Sequence, residues 1–439
     1  MPPMRLLPSA AAIVSLAAAL LPAGAETIVG RLVASPEPGW PQWRGPRRDG
    51  ICDEKGLLPA WPEGGPRLLW KAEGLGRGWA APVVTGGTIY LAGDVGGDCV
   101  VFALDLEGKP RWRTPNGPAW RKSYPGARAS CAVRDGLVYH LNGHGHVACL
   151  DAATGGVRWT VNILDRFEGK VITWGLAECL LVDGPRLVVT PGGRKGLVAA
   201  LDRETGKTVW TSEAVPGENA SYSSPILFEL GGRRHLVSCS SKHVFGVDAD
   251  TGKGLWRMPR PTRHEAICTT PVLAGDGVFV TSPDGFGGAR YRILGATADT
   301  ARAEQAWECP LDTLQGGTVL VDGTIYGSGC TGLRGWAAID AATGRVRYGT
   351  KDLAAGAVIW ADGRLYVLAQ DGMAALLAPG DSAFEMAGRF RLVEAIPNDA
   401  WAHPVICDGR LYLRYHDTLW CYDVRGGQGR QAPAGGTDR

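Results

Sequence analysis

The sequence predicts an all-β protein, an eight-bladed β-propeller built of four-stranded antiparallel blades. Three observations predict this fold: a phrase that recurs along most of the chain, a hairpin signal ahead of the copies, and two half-copies at the ends of the repeated region. Self-similarity at a period of roughly 40 to 50 residues is typical of propeller blades or solenoid units. The half-copies favour the propeller, because together they make one further blade and close a ring.

The recurring phrase is an aspartate, a glycine-containing turn, and an aromatic residue seven or eight positions after the aspartate. LDAATGGVRW, with Asp151 and Trp159, is a complete copy. The other pairs are Asp105 with Trp112, Asp202 with Trp210, Asp248 with Trp256, Asp299 with Trp307 and Asp340 with Tyr348, and a copy from Asp381 to Phe390 has lost its glycine. The aspartate side chain can cap the turn, and the glycine supplies the backbone freedom that the turn needs. We expect the aromatic residue to lie on the outermost strand and to pack against the neighbouring sheet.

A hairpin signal stands ahead of the copies, as in VVTGGTIYLAG and VLVDGTIYGSG. Period-two alternation of apolar residues that is broken by Asp-Gly or Gly-Gly predicts two antiparallel strands and a tight turn. Each unit is therefore expected to contain four short strands. Trp70 has no aspartate phrase before it, and Asp423 has no aromatic residue after it, so these halves are predicted to share the eighth blade. Joining both ends in one sheet leaves no free edge.

Composition excludes several classes of protein. The 46 Lys+Arg and 44 Asp+Glu residues leave a net charge of +2, which does not favour nucleic acid or an anionic membrane surface as a partner. The 16 tryptophans argue against disorder, since disordered segments lack aromatic residues to bury. After the first residues no stretch is long and apolar enough to cross a membrane. We expect a globular monomer.

The first 25 residues have the pattern of a secretory signal, with a positive charge at Arg5, a short apolar run and the small residues Ala23 to Ala25. Cleavage near Ala25 would make the protein periplasmic or secreted. The expected organisation is a signal peptide at 1–25, an N-terminal arm at 26–64, the propeller at 65–425 and a flexible tail at 426–439. Most of the 11 cysteines lie in strand patterns and are expected to pack in the core, while Cys309 and Cys330 could form a bridge.

These phrases closely resemble the A-x-D-x-x-T-G-x-x-x-W repeat of the PQQ-like, quinoprotein-type propeller family, and the resemblance extends from Gly65 to Val424. WPQWRGPRRDG, Trp40 to Gly50, is also similar to an N-terminal segment of exported members. Family membership does not settle function, because one fold hosts many. The resemblance implies two branches: dehydrogenases that bind pyrroloquinoline quinone and calcium at the channel mouth, and non-enzymatic scaffolds that bind proteins.

The arm at Trp40 to Gly50 is expected to pack on the ring, with Trp40 and Trp43 covering the propeller wall. A ligand role for these tryptophans is the alternative. The short basic run from Arg47 to Gly50 is expected to be solvated surface rather than a nucleic-acid patch.

The residues that precede each inner strand should line one end of the central channel. Aligning the hairpin phrases predicts that this rim is aromatic, with one cation and few acids, a composition suited to stacking on a planar ligand or gripping a peptide. The candidate binding residues are Trp79, Arg128, Trp174, Tyr222, Cys268, Gln315, Trp401 and His403, with Leu176 and Ala355 at the equivalent places in two blades. The alternative is that these aromatic residues plug the channel as core.

Quinone chemistry would need convergent oxygen ligands for calcium and a carboxylate base near the metal. The acids and amide near predicted strand starts are Glu178, Glu218, Asn219, Glu265 and Asp399. None of them matches a motif of the dehydrogenases, and no two cysteines are adjacent, unlike in the alcohol-oxidising branch. The sequence therefore favours a non-catalytic, metal-free binding or scaffold module that takes a protein or a small planar ligand at its channel face. The alternative is a PQQ- and calcium-dependent dehydrogenase of alcohols or sugars.

Overall fold

Eight antiparallel sheets follow one another along the chain and form an eight-bladed β-propeller, which confirms the predicted fold. The structure is a computed structural model that describes residues 29–296 and 301–427. The predicted signal peptide, Asp299 and residues 428–439 of the predicted tail lie outside these ranges. Within them, no helix has the length and apolar character needed to cross a bilayer.

Three strands precede the first complete blade: β1 (Arg31–Leu32), β2 (Ile51–Cys52) and β3 (Arg67–Ala72). Blade 1 contains β4 (Val83–Thr85), β5 (Thr88–Val95), β6 (Asp98–Leu104) and β7 (Pro110–Pro118). Blade 2 contains β8 (Ala132–Arg134), β9 (Leu137–Leu141), β10 (His146–Asp151) and β11 (Val157–Asn162). The short helix α1 (Ile163–Phe167), which the sequence analysis did not predict, follows blade 2. Blade 3 contains β12 (Leu181–Asp183), β13 (Arg186–Val189), β14 (Ala199–Asp202) and β15 (Thr208–Thr211).

The remaining blades repeat this plan. Blade 4 contains β16 (Ile226–Leu230), β17 (Arg233–Cys239), β18 (His243–Asp248) and β19 (Gly254–Pro259). Blade 5 contains β20 (Val272–Ala274), β21 (Gly277–Thr281), β22 (Gly288–Leu294) and β23 (Arg302–Cys309). Blade 6 contains β24 (Thr318–Val321), β25 (Thr324–Gly329), β26 (Gly335–Asp340) and β27 (Val346–Thr350). Blade 7 contains β28 (Gly356–Ala361), β29 (Arg364–Ala369), β30 (Met373–Pro379) and β31 (Phe384–Arg391). Blade 8 contains β32 (Val405–Cys407), β33 (Arg410–Tyr415), β34 (Thr418–Asp423) and, from the N-terminal side, β3.

Blade 8 closes the ring in the way that the half-copies predict. Strand β3 pairs antiparallel with β34, and the register places Arg67 opposite Asp423 and Trp70 opposite Cys421. The Arg67 side chain also forms an ion pair with Asp423 at 2.7 Å. Residues that are about 350 positions apart in the chain therefore share backbone hydrogen bonds, and the propeller has no open blade edge at this junction.

The repeated phrase caps a turn and packs one blade against the next. Its aspartate caps the turn: Asp151 Oδ1 accepts hydrogen bonds from the backbone N–H groups of Ala153 and Thr154 and from the Thr154 hydroxyl. Its glycine receives an indole from the preceding blade, since a Cβ at Gly155 would lie 2.6 Å from the Trp112 ring. The same contact joins Trp70 to Gly108, Trp159 to Gly206, Trp210 to Gly252 and Trp307 to Gly344. The phrase recurs because each copy interlocks two neighbouring blades.

The contact between the indole and the glycine predicts that two glycines of blade 3 differ in how much stability is lost when each is replaced with alanine. Gly206 and Gly184 both have positive φ, 68° and 53°, but only a Cβ at Gly206 would meet a neighbour, at 2.7 Å from the Trp159 ring. Gly184→Ala should lower the free energy of unfolding by about 1 kcal/mol through backbone strain. Gly206→Ala should cost about 1–3 kcal/mol more, because it also displaces the indole. Urea denaturation of both variants tests this, and equal losses would show that the contact between the blades contributes nothing.

The N-terminal arm packs on the ring, as expected, and does so from inside the central channel, a location that the sequence left open. Trp40 is 3% exposed and exchanges backbone hydrogen bonds with Val84 of β4. Strand β1 adds to β16 antiparallel, and β2 adds to β28 in parallel. Further contacts to the inner face of the ring are Val133 N–H to Pro41 O, the Trp43 indole N–H to Thr270 Oγ1, Trp360 N–H to Gly50 O and the Cys52 thiol to Ile406 O.

Two buried arginines anchor the arm. The Arg48 guanidinium donates to the carbonyls of Cys179, Leu180 and Pro225 in blades 3 and 4, and the side chain is almost fully buried. The Arg44 guanidinium donates to the carbonyl of Thr318 in blade 6. The expectation that the run from Arg47 to Gly50 is solvated surface is therefore wrong for Arg48. Arg47 does stay near the surface, where it pairs with carboxylates of the arm.

All 11 cysteines are free thiols, so the bridge between Cys309 and Cys330 is not formed. Nine of them are buried, as core packing predicts. The Cys330 thiol instead lies 3.3 Å from Asp312 Oδ2. Asp312 itself accepts backbone N–H groups from residues 285 and 330–333, which keeps the pKa of this carboxyl below its usual value despite its burial.

Candidate functional site

A cavity of about 290 Å³ lies at the end of the channel where the inner strands begin. Most of its surface is aromatic or aliphatic, with a few polar groups around the wall, which is the usual composition of a small-molecule site. The structure brings seven of the eight predicted binding residues to this cavity: Trp79, Arg128, Trp174, Tyr222, Cys268, Gln315 and Trp401. It adds Trp43, for which a ligand role was the alternative to packing, and residues that the sequence analysis missed, among them Tyr124, His264 and Asp284.

One wall of the cavity is a cluster of rings from blades 8 and 1. The rings of Trp79 and Trp401 are 5.2 Å apart between centroids, and Tyr124 lies 5.3 Å from Trp401. The Trp79 indole N–H donates to the carbonyl of Asp399 at 2.8 Å, which fixes the ring orientation. Trp79 is 8% exposed, whereas Trp401 is only partly covered. The wall therefore combines a fixed ring with a more accessible one.

The opposite wall comes from the loops before blades 3, 4 and 5. The Trp174 and Tyr222 rings are 5.7 Å apart, and the His264 ring meets Trp174 edge to face at 6.2 Å. The Trp174 backbone N–H donates to the Tyr222 hydroxyl at 3.2 Å. Burial raises the pKa of Tyr222 to about 12, so this phenol remains protonated at neutral pH. Offset and edge-on rings on two sides can hold a flat group between them.

Arg128 organises a loop more than it presents a charge. Its guanidinium donates to the carbonyls of Gly126 and Tyr124 and lies over the rings of Trp79 and Trp120, 5.4 and 5.1 Å from their centroids. Burial lowers its pKa to about 10, against the opposing effect of Asp94, so the group stays cationic at neutral pH. Asp284 is the one carboxylate among the described lining residues. The formal charges in the lining therefore balance.

Trp43 of the arm lines the cavity from the channel side, and His403 lies behind it. The two rings are 4.4 Å apart, and Trp43 is also held by its hydrogen bond to Thr270. His403 Nε2 donates to the carbonyl of Gln315 at 3.0 Å, which leaves Nδ1 to face the Arg44 guanidinium at 3.4 Å as an acceptor. Burial and Arg44 lower the pKa of His403 to about 3. The prediction that His403 lines the mouth is wrong, because its side chain supports the arm beneath the cavity. Leu176 is likewise core, and Ala355 lines a smaller neighbouring hollow.

The thiols at the cavity do not have the features of nucleophiles. Burial raises the pKa of Cys268 to about 12 and also raises that of Cys179, against hydrogen bonds that Cys179 receives. A reactive cysteine needs a lowered pKa and an electropositive setting. These side chains therefore act as small lining groups.

The acids that sequence analysis considered for quinone chemistry do not converge on the cavity. Glu178 is buried and accepts from the Thr190 N–H and hydroxyl at 2.7 Å each, and burial raises its pKa to about 7. Glu218 faces His243 at 2.5 Å. Asp399 accepts from the Tyr415 hydroxyl and contacts His416 Nε2, both at 3.0 Å. None of these three carboxylates lines the cavity, and Glu218 Oε2 is buried without a hydrogen-bond partner in the described part of the chain.

The remaining donor set does not fit calcium with pyrroloquinoline quinone. Calcium takes roughly six to eight oxygen ligands, several of them carboxylates, and the described lining offers one carboxylate, Asp284. Glu265 and Asn219 lie 3.4 Å apart at a neighbouring hollow. A quinone that carries several carboxylates would also face a lining in which Arg128 is the one arginine or lysine. The site is built to surround a ring, and it lacks the groups that would hold a metal.

Part of the missing lining could have been found in the sequence. Trp43 belongs to the WPQWRGP segment, whose two tryptophans indicate packing, but the segment lies outside the repeat and no register places it in the channel. Tyr124 and His264 lie in loops between blades, where strand alternation gives no information about direction. Asp284 follows β21 in a turn with positive φ, 62°, a position that the hairpin pattern does not predict.

Comparison with known proteins supports the assignment of this chain as a β-propeller. A family model described as outer membrane protein assembly factor BamB matches residues 97–350, more than half of the chain. The serine/threonine-protein kinase AfsK of Streptomyces griseus is 30% identical over 230 residues, 47% of this chain and 26% of that protein. Quinoprotein ethanol dehydrogenase of Pseudomonas putida is 29% identical over 168 residues, 34% of this chain and 26% of that enzyme. The chain thus spans about a quarter of the length of these curated relatives.

Solved structures show the same architecture at low identity. BamB from Moraxella catarrhalis has a TM-score of 0.59 and 16% identity, covering 83% of this chain and 98% of that one. Quinohemoprotein alcohol dehydrogenase from Comamonas testosteroni has a TM-score of 0.62 and 14% identity, covering 92% and 82%. At such identities the likeness concerns the fold alone. On the match to residues 97–350 and the repeats themselves, the chain belongs to the PQQ-like propeller family whose model is described as outer membrane protein assembly factor BamB.

Proposed function

We propose that this protein is a non-catalytic binding module that holds an uncharged, ring-bearing group in the aromatic cavity at its channel mouth. The observation that carries the proposal is the cavity itself: aromatic rings line two walls and one end, and the lining charges balance. The ring can belong to a small molecule or to a group displayed by a partner. Two facing aromatic contacts contribute roughly 1–3 kcal/mol to binding beyond the burial of apolar area.

We further propose that the module acts outside the cytoplasm, in the periplasm or after secretion. The signal pattern at residues 1–25 supports this location, as does the description of the matching family as an outer membrane assembly factor. A scaffold role in such an assembly is consistent with a rigid ring that positions one binding face.

The second candidate is a PQQ-dependent dehydrogenase of alcohols or sugars. The names of several relatives favour it, including quinoprotein ethanol dehydrogenase of Pseudomonas putida. The cavity does not favour it, because calcium needs several carboxylate ligands and Asp284 is the one carboxylate in the described lining. We therefore place this candidate second.

Fluorescence titration with N-phenyl-1-naphthylamine, an uncharged flat probe, tests the proposal. The wild-type protein should enhance the fluorescence of the probe saturably. Replacing Trp79 and Trp401 together with alanine should weaken binding about tenfold or more, because it removes one wall of the cavity. Trp420→Ala, on a partly buried ring of blade 8, is the matched control and should bind like wild type.

Pyrroloquinoline quinone with and without calcium provides the opposing measurement. Tight, calcium-dependent uptake together with dye-linked oxidation of alcohols or sugars would overturn the non-catalytic proposal. Probe binding that survives the double Trp79 and Trp401 replacement would show that the cavity is not the binding site.

A further inference from the structure

The aromatic cavity is the middle of a longer groove across the channel face. A hollow of about 170 Å³ adjoins it and shares Tyr222 and His264 in its lining. On the other side a much smaller hollow of about 20 Å³ shares Leu314, Gln315 and Trp401 with it, and it has room for about one water molecule or one hydroxyl group. The groove therefore runs from the loops before blades 3 to 5, past the aromatic rings, and ends in the small hollow beside blades 6 and 7.

The polar groups along this groove are mostly neutral or balanced. Amide side chains lie at both ends and in the middle, at Asn219, Gln315 and Gln370. The larger hollow has one cation and one anion in its described lining, Lys170 and Glu265, apart from the neighbouring His264. An amide both donates and accepts hydrogen bonds, as a hydroxyl does. Such a lining complements a ligand that carries many hydroxyls and no net charge.

At four of the eight inner strands the channel wall offers no free strand edge to an extended peptide. The arm already pairs with β4 through Trp40, with β16 through β1 and with β28 through β2, and Pro41 accepts from Val133 of β8. Peptides that add to a sheet take their affinity from main-chain hydrogen bonds at such an edge. At these four inner strands the arm occupies the place that a peptide strand would need.

From this groove we infer that the ligand is a neutral oligosaccharide, bound with one sugar ring against the indoles, the next ring in the hollow of about 170 Å³, and a hydroxyl of the first ring directed into the hollow of about 20 Å³. The inference rests on the proposed function of the cavity. A sugar ring has an apolar face of C–H groups that stacks on an indole and a rim of hydroxyls that both donate and accept. Trp79, Trp174 and Trp401 supply the faces, and the amides supply the partners for the hydroxyls.

Calorimetric titration with cellohexaose, maltohexaose and chitohexaose, each compared with its monosaccharide, tests the inference. At least one hexasaccharide should bind about tenfold or more tightly than its monosaccharide, because only a chain of two or more sugars reaches both the aromatic cavity and the hollow of about 170 Å³. Asn219→Ala and Gln370→Ala should each weaken that binding about three- to tenfold, which is the loss expected for one hydrogen bond. Both variants should keep the wild-type affinity for N-phenyl-1-naphthylamine, since neither residue lines the central cavity.

Gln305→Ala is the matched control, since this exposed amide lies on the outer strand β23 and should leave every affinity unchanged. Failure of all three hexasaccharides to bind, or affinity that does not depend on chain length, would overturn the inference. Tighter binding of a glycine- and serine-rich decapeptide with one central tryptophan would do the same and would identify a peptide ligand. If the naphthylamine probe still binds through Trp79 and Trp401 in those cases, the proposed function stands while the oligosaccharide inference falls.

Discussion

Replacing Arg48 with alanine should lower the free energy of unfolding by about 3–5 kcal/mol. The guanidinium donates to the carbonyls of Cys179 and Pro225 at 2.6 Å each and to that of Leu180 at 3.0 Å. Alanine would leave these buried acceptors without a donor and would open a space between the arm and blades 3 and 4. Burial lowers the pKa of Arg48 to about 10, so the wild-type group is charged throughout the neutral range and its hydrogen bonds are charge-assisted.

The neighbouring arginine provides the control for this prediction. Arg47 pairs with Asp49 and Asp53 near the surface, and exposed ion pairs contribute about 0–1 kcal/mol. Arg47→Ala should therefore unfold at nearly the wild-type urea concentration, whereas Arg48→Ala should unfold much earlier with a similar denaturant slope. Two variants with the same midpoint would mean that the arm does not depend on this anchor.

The ring could be predicted from the sequence because its information is local and repeated. The capped turn at Asp151 and the glycine that receives Trp112 lie within a few residues of each other in every complete copy, so the pattern is visible without a structure. The closure by β3 and β34 followed from two incomplete copies, which only a ring makes complete. Because the same contact between blades recurs in several copies, each copy is a separate observation of the same packing pattern.

The inside of the channel could not be predicted with the same success. Residues just before the inner strands point to the mouth by register, which is why Trp79, Tyr222 and Trp401 meet at one cavity. The arm lies outside the repeat, so no register predicts where its side chains point. Its basic residues were expected to face solvent, but Arg48 is buried and donates to carbonyls of distant blades. His403 was placed at the mouth because its position relative to Trp401 is known, but its depth depends on the arm that covers it. Contacts between a non-repeated segment and a ring are set by tertiary packing alone.

The protein should lose stability as the pH falls from about 6.5 to about 4. His140 and His235 have no measurable exposure and His403 is 2% exposed; burial lowers the pKa values of the first two to about 4, and burial with Arg44 lowers that of His403 to about 3. The folded protein keeps these histidines neutral in this pH interval, whereas the unfolded chain protonates them. The free energy of unfolding therefore falls as the pH is lowered. His140 and His235 each contribute up to about 3 kcal/mol and His403 up to about 5 kcal/mol, and these contributions are fully present above pH 6.5. Glu178 acts in the opposite sense, since its pKa is raised to about 7 and its contribution is lost as the pH rises toward that value.

His235 allows a direct test of this acid response. Its ring stacks on Phe228 with an angle of 5° between the planes, and neither ring nitrogen has a hydrogen-bond partner within the described structure. His235→Phe keeps the stack and removes the titrating group, so the variant should gain stability over wild type by about 1–3 kcal/mol at pH 5 relative to the difference at pH 7.5. Exposed His264→Phe is the control and should follow the wild-type pH curve. Urea denaturation at the two pH values measures the effect, and an unchanged pH slope in His235→Phe would assign the acid response to other groups.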